Sequence, residues 1–496
     1  MIGSIAFGLF GLAVLLGIGV LFSHRRNSID WGLVATGVSL QIAFAAIVLL
    51  GPQLVPIVEQ QLPAFAAIWH PLVFAGAAIV VALMVGRRFV AAQLHPSMMR
   101  YAGFVAVGTA IIGMPLLGEG FEVMATGFVT LANFTREGAM FVFGDLVNMD
   151  KFGFIFAFQV LPTIIFFAAF MGVLYHLGVM QFIVRAMAVG ITKVMRVSGA
   201  ETTSVSASVF IGQTEAPLTV RPYIGTMTDS ELLTMMIGGM AHIAGGVMAT
   251  YILMLGGSDP VAQAEFAKHF LAASIMAAPA TLVIAKVLMP EIGQPLTRGT
   301  VTMEVEKHTA NVIDAAAAGA ADGLKLALNI AAMLLAFVAL IALLNSALEW
   351  LGQATGLTAW INSLLDQPIK FNLGSILGFF LSPLAWVIGI PWDDAVIAGG
   401  LIGQKIVINE FIAYSQLAAT TVGTGIGQIS EHSRLILTYA LCGFANFSSI
   451  AIQIGGIGGL APERRADLAR FGLLAVLGGS LATFMTATIA GVLSKL

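Results

Sequence analysis

The chain has one cysteine, Cys442, in 496 residues, and only 10% of its residues are charged. A single thiol excludes a disulfide framework and a cysteine-based metal cluster. A soluble domain carries roughly 25% charged residues, so this scarcity excludes an ordinary water-soluble protein. Neither sign dominates: 23 Lys and Arg stand against 26 Asp and Glu, a net charge of −3 that offers nothing to a nucleic acid. Neither His-Glu-x-x-His nor Gly-x-Ser-x-Gly occurs, so two common hydrolase signatures are missing. What the chain has is apolar length, with 58% hydrophobic residues and a mean hydropathy of +0.95. That makes it a polytopic membrane protein.

Apolar stretches of about 20 residues, enough to cross the hydrocarbon core, fall near 3–22, 32–51, 67–86, 101–118, 153–175, 231–255, 267–289, 325–350, 435–457 and 470–493. The first has no basic residue before it and His24-Arg25-Arg26 after it. A cleavable signal peptide has the opposite order, so an uncleaved span with its N-terminus outside is expected. Alternating from there puts fifteen Lys and Arg in inner stretches and six in outer ones, with Arg221 and Lys405 in neither. This bias follows the positive-inside rule and predicts both termini outside the cytoplasm, in a bacterial inner membrane. Met180–Val197, with three basic residues among apolar ones, reads as an interfacial helix. Pro290–Gly323 reads as an inner loop leading into a helix.

Two segments, about 197–228 and 393–428, break the pattern. Each is interrupted by a polar run around a carboxylate: Gly212-Gln213-Thr214-Glu215-Ala216-Pro217 in the first and Ile408-Asn409-Glu410-Phe411 in the second. An Asp or Lys at a bilayer centre costs about 2.5–3.5 kcal/mol even on lenient scales. Irregular backbone persists at that depth only where it is buried or lines a wet cavity. Both segments are therefore expected to be re-entrant helical hairpins, the first entering from inside, the second from outside. Each precedes a span that is itself interrupted, at Gly238–Gly246 and at Cys442–Ser449. Hairpin, broken span, intact span, twice and with opposite entry, predicts an inverted repeat with a binding site between its halves.

Gly212-Gln213-Thr214-Glu215-Ala216-Pro217, Asn409-Glu410-Phe411-Ile412-Ala413-Tyr414 and Tyr439-Ala440-Leu441-Cys442-Gly443-Phe444-Ala445-Asn446-Phe447 resemble the signature runs of the concentrative nucleoside transporter family. Phe141–Gly144, Val197–Glu201 and Gly389–Trp392 support the likeness, which covers about residue 137 to the C-terminus. The resemblance implies an all-α, elevator-type homotrimer in the lipid bilayer, with about ten transmembrane helices and two hairpins. It implies nucleoside import driven by a cation gradient, with no organic cofactor, no enzymatic step and no nucleic-acid partner. It assigns Gln213, Thr214, Glu215 and Val247 to the nucleobase, and Glu410, Asn446, Ser449 and Phe444 to the ribose. Chemistry agrees, since an ionised carboxylate only accepts hydrogen bonds and ribose hydroxyls donate them.

Coupling is where the chain departs from the family. Sodium-driven relatives hold the ion at the positions of Ser208, Ile211, His242 and Ile243, with Asn and a hydroxyl residue where Ser208 and His242 stand here. Imidazole is a poor ligand for a hard cation and titrates near pH 6.5 in water, so H+ is the expected coupling ion, carried by His242 or Glu215, with Na+ as the alternative. The resemblance divides the chain into scaffold helices at 1–136, with an apparent two-span insertion at about 55–125, and an interfacial helix and scaffold span at 137–182. A first repeat follows at 183–290, a loop and scaffold span at 291–352, and a second repeat at 353–496. Bland roles remain for several features. Asp393 and Asp394 suit helix capping better than metal binding, Gly455–Gly459 suits helix packing, and Arg221 and Glu201 are placed to pair across the first hairpin. An intramembrane enzyme and a passive channel are the alternative classes. The first lacks a histidine near either glutamate in sequence, and the second needs a continuous polar pore.

Overall fold

The computed structural model describes residues 2–61, 114–299, 309–364, 370–420, 422–423 and 428–496. The span expected at 67–86, and most of that at 101–118, lie outside these residues. Among the described residues the chain is helical throughout, with isolated bridges at Ser198–Arg298 and Val422–Ile429 as the only strand-like pairing.

The amino-terminal part holds α1 (Ile2–Leu21), α2 (Trp31–Leu49), α3 (Gly51–Gln61) and α4 (Met114–Phe143). Next come α5 (Leu161–His176) and α6 (Val179–Met195), the latter covering the segment expected to be an interfacial helix. A short helix, α7 (Gly199–Ser208), is followed by single turns at Ala216–Val220 and Arg221–Ile224. α8 (Asp229–Ala241) and α9 (Gly245–Gly256) form one interrupted span, and α10 (Pro260–Leu288) runs intact. After it come α11 (Val312–Ala354), α12 (Leu357–Leu364), α13 (Leu373–Val387), α14 (Trp392–Val407) and α15 (Glu410–Ala419). A second interrupted pair, α16 (Glu431–Ala440) and α17 (Phe447–Leu460), leads to α18 (Arg465–Leu493).

Local chemistry sets these boundaries. Ser198 and Thr228 start α7 and α8 with complete capping boxes, each accepting from the N–H of a glutamate three residues on, Glu201 and Glu231. Asn311, Asn372, Asn409 and Asn446 cap α11, α13, α15 and α17 through their side-chain oxygens. Gly443, in the second break, has φ 99°, and a Cβ there would lie 2.7 Å from the Met240 carbonyl oxygen. Only glycine lets the two interrupted spans approach this closely.

Both segments expected to be hairpins close on themselves. The Ser198 hydroxyl, at the start of the first, donates to Glu231 just past its end. Asp394, at the start of the second, accepts from the Ser430 N–H at 3.0 Å, the Ser430 hydroxyl at 2.7 Å and the Ser433 hydroxyl at 2.5 Å. This corrects the capping role expected for Asp394: Pro391 is the N-cap residue of α14, and the Asp394 side chain serves α16 instead. The expected Arg221–Glu201 pair is also absent. Glu201 meets Lys286 Nζ at 2.7 Å, because the first turn of α7 faces the last turn of α10.

Two further differences concern helix extent. α11 begins at Val312, well before the expected span at 325, because the Ala-rich run joins the helix rather than the loop. α13, which the span pattern did not contain, packs on α14 after the chain turns through 116°. Burial divides the molecule: α10 and α18 are enclosed along most of their length, whereas α11 buries only Ala315, Gly323, Ala327, Ile330 and Gly352.

Candidate functional site

Glu410 opens α15, immediately after the break at Ile408-Asn409. Asn409 holds this start by accepting from the Ile412 N–H at 3.0 Å. The glutamate is 5% exposed, and both its oxygens are engaged. Tyr251 of α9 donates its hydroxyl to Oε1 at 2.8 Å, and Asn446 donates Nδ2–H to Oε2 at 3.1 Å. Tyr251 is fixed by two rings of α15, Tyr414 at 4.4 Å and Phe411 at 5.1 Å between centroids. A carboxylate has about four lone-pair sites, so two remain for other donors.

Asn446 does two jobs from one amide. Its nitrogen reaches Glu410, while its oxygen accepts from the Ser449 N–H at 2.9 Å and caps α17. The Ser449 hydroxyl in turn accepts from Gln213 Nε2 at 3.1 Å. Gln453, one helical turn further along α17, donates to Gln213 Oε1 at 3.2 Å and to the Met236 carbonyl at 3.0 Å. The polar break after α7 and the polar break before α15 are thus joined by a short chain of hydrogen bonds through the start of α17. Residues far apart in sequence converge on one buried locus.

The other expected positions sit as follows. Thr214 lies against α17, close enough that a Cβ at Gly456 would fall 2.6 Å from its methyl group. Glu215 is exposed at the turn, with its carboxylate folded over Gly212. Val247 is buried in the first turn of α9, and Phe444 is half-buried in the second break. Ser208 is buried and returns its hydroxyl to the Ser204 carbonyl at 3.0 Å. His242 is buried at the first break. Its Nδ1 contacts the Gly238 carbonyl at 2.7 Å, so Nδ1 carries a hydrogen, and Nε2 has no hydrogen-bond partner. Ile243 is buried and Ile211 half-buried. The Gly245 N–H donates to the Phe210 carbonyl at 3.0 Å, which joins the end of α7 to this break.

Two residues of the locus were not singled out from sequence, Tyr251 and Gln453. Gln453 is a lone polar side chain in an apolar run, and that isolation was the available signal, whereas Tyr251, next to Thr250, offered none. Among the described residues no group of three His, Cys, Asp or Glu side chains is arranged to hold a metal ion.

Comparison with known proteins places this geometry. Residues 10–68 match the family described as Na+ dependent nucleoside transporter N-terminus, and residues 269–491 match its C-terminus counterpart. Residues 157–258 match a family described as nucleoside recognition. An uncharacterized transporter of Haemophilus influenzae is 38% identical over 490 residues, 98% of this chain and 97% of that protein. The nucleoside permease NupC of Helicobacter pylori is 40% identical over 392 residues, 78% of this chain and 88% of the permease. The solved structure of CNTnw in an inward-facing substrate-bound state is 36% identical, with a TM-score of 0.76 over 99% of this chain and 98% of CNTnw. These relatives are transporters, not enzymes, and the chain belongs to the concentrative nucleoside transporter family.

Proposed function

We propose that this chain imports nucleosides by secondary active transport, with H+ as the coupling ion. The observation that carries the nucleoside reading is the hydrogen-bonded chain Gln213–Ser449–Asn446–Glu410, which joins an amide-bearing tip to a buried carboxylate. Glu410 takes ribose hydroxyls on its two open lone pairs, with Asn446 and Ser449 beside it and Phe444 as an apolar wall. Gln213, Thr214 and Glu215 read the edge of the base, and Val247 packs against its face. The two self-closing segments act as re-entrant hairpins of an inverted repeat. Their halves, 183–290 and 353–496, travel together against a scaffold formed by 1–136, 137–182 and 291–352. The exposure of α11 supports that division, because a scaffold helix contacts lipid and neighbouring subunits of a homotrimer. Both termini lie outside the cytoplasm in a bacterial inner membrane.

His242 carries the coupling proposal, with Ser208, Ile211 and Ile243 completing the position. Its Nε2 holds a buried lone pair with no donor, and a proton is the smallest group that satisfies it. The sodium reading is favoured by the family descriptions that match this chain, and its hard ligands would be main-chain oxygens beside Ser208. Purified protein in proteoliposomes, given H+ and Na+ gradients separately, decides. Uridine should accumulate with an inward H+ gradient in sodium-free buffer. Accumulation that requires sodium and ignores the H+ gradient removes the proton proposal and leaves nucleoside symport standing. No accumulation with either gradient removes symport.

A further inference from the structure

Lys405 lies in the last turn of α14, five positions before Glu410 and on the other side of the Ile408-Asn409 break. Its side chain is fully buried, its Nζ has no hydrogen-bond partner, and it sits 5.9 Å from the centroid of the Phe484 ring on α18. A buried ammonium with neither hydrogen bond nor ion pair is costly and needs a reason. Glu410 presents the mirror problem. It is buried, its two direct partners are the neutral donors Tyr251 and Asn446, and no ion pair to it exists among the described residues. Only the end of α14 and the short break at Ile408-Asn409 separate the two in the chain, and among the described residues each is buried without an opposite charge in contact. The other titratable groups around them are Tyr251 on α9, Tyr414 on α15 and Cys442 in the second break, side chains that are uncharged at neutral pH in their ordinary state. From α18 the facing group is the apolar Phe484. Lys405 and Glu410 are therefore the opposed charges of this region, held apart instead of paired.

The separation has a chemical use. A direct ion pair would fill the lone pairs of Glu410 with ammonium hydrogens and leave none for a sugar. A lysine at a distance offsets the buried negative charge while leaving the oxygens open. We infer that Lys405 is a positioning residue for substrate binding, a remote counter-charge that keeps the Glu410 carboxylate ionised and its lone pairs available to ribose hydroxyls. This rests on the reading of Glu410 as the sugar-binding group. The α14 C-terminus suits the role further, because its free carbonyl ends favour a cation there.

The test is equilibrium binding of labelled uridine and of 2′,3′-dideoxyuridine to purified protein in detergent, across about pH 5.5 to 8.5. Lys405→Met keeps side-chain length and removes the charge. Uncompensated, Glu410 takes up a proton as pH falls, becomes a donor at one oxygen and loses uridine. Uridine affinity should fall by about tenfold per pH unit below the new midpoint and recover toward wild type at alkaline pH. Dideoxyuridine, which lacks the hydroxyls, should change little. Lys405→Arg, which restores the charge, should restore the wild-type profile. Uridine binding by Lys405→Met that equals wild type at every pH overturns the inference. If Lys405→Met does not fold, the double variant with Glu410→Gln decides, since removing both buried charges is tolerated where removing one is not. A double variant that folds supports the counter-charge, and one that also fails to fold makes the lysine a packing residue and overturns it. The underlying reading fails separately: Glu410→Gln would then still prefer uridine over dideoxyuridine.

Discussion

Glu410 is the residue on which the proposed binding site turns, and its two hydrogen bonds fix how a substitution acts. Tyr251 and Asn446 both donate to it. In Glu410→Gln the new amide turns an N–H2 toward one of these donors and removes the charge that strengthens contact with a sugar. Hydrogen bonds to charged groups are worth about 1.5–3 kcal/mol, so KM for uridine uptake should rise roughly ten- to hundredfold. Uptake kinetics within twofold of wild type would remove Glu410 from the sugar site. Gln453 makes a second case. It anchors Gln213 and uses the same nitrogen to satisfy the Met236 carbonyl. Gln453→Ala should raise KM about fivefold with little change in maximal rate, the effect of losing one neutral hydrogen bond of about 1 kcal/mol. A changed maximal rate at constant KM would place Gln453 in the moving step instead. Glu215, Glu410 and their polar neighbours were legible in the sequence because carboxylates are rare in apolar runs. Tyr251 was not, because a tyrosine in an apolar helix is unremarkable until its hydroxyl finds an acid. Lys286 as partner of Glu201 was equally hidden, since nothing local indicates which distant helix end faces α7.

The helices pack according to where glycine allows them to. α13 and α14 lie close enough that a Cβ at Gly399 would be 2.8 Å from both the Gly378 carbonyl oxygen and the Ser382 amide nitrogen. Gly399 and Gly403 are four apart on α14, the small-residue spacing that lets membrane helices approach closely. Gly399→Ala must push backbone against backbone, and overpacking of this kind costs about 1–3 kcal/mol. Gly455 of α17 has open space around its missing Cβ. There alanine should stabilise by about 0.5–1 kcal/mol through helix propensity. Melting temperatures of the two variants in detergent should move in opposite directions, and equal shifts would count against this packing. The interrupted spans were readable as elements because glycine and polar residues cluster at the breaks. α13 escaped that reading since its 15 residues, with Pro383 inside, are too few for a full crossing. The extra length of α11 escaped because its Ala-rich start is only mildly apolar and carries Asp314 and Asp322.

Considered as a whole, the molecule has an enclosed bundle and an exposed rail. α10 and α18 are buried among other helices, while Leu335, Val338 and Leu343 of α11 are exposed. An apolar face of this extent needs lipid or another subunit against it. If the homotrimer is right, a cysteine placed at one or more of these three positions should cross-link in membranes to species no larger than three chains. A ladder that stops at two, or none at any of the three positions, would remove the trimer. Charge bias along the chain supplies an expectation for the orientation, but nothing in one sequence states how copies assemble, because lipid and a neighbouring subunit select the same residues.

Cys442 sits 1% exposed in the break between α16 and α17. A maleimide reagent reaches that sulfur only when the break admits water. The wild-type protein thus carries its own stopwatch, and the rate of alkylation counts openings without any engineered probe. Saturating nucleoside should slow that clock wherever the occupied state is the closed one.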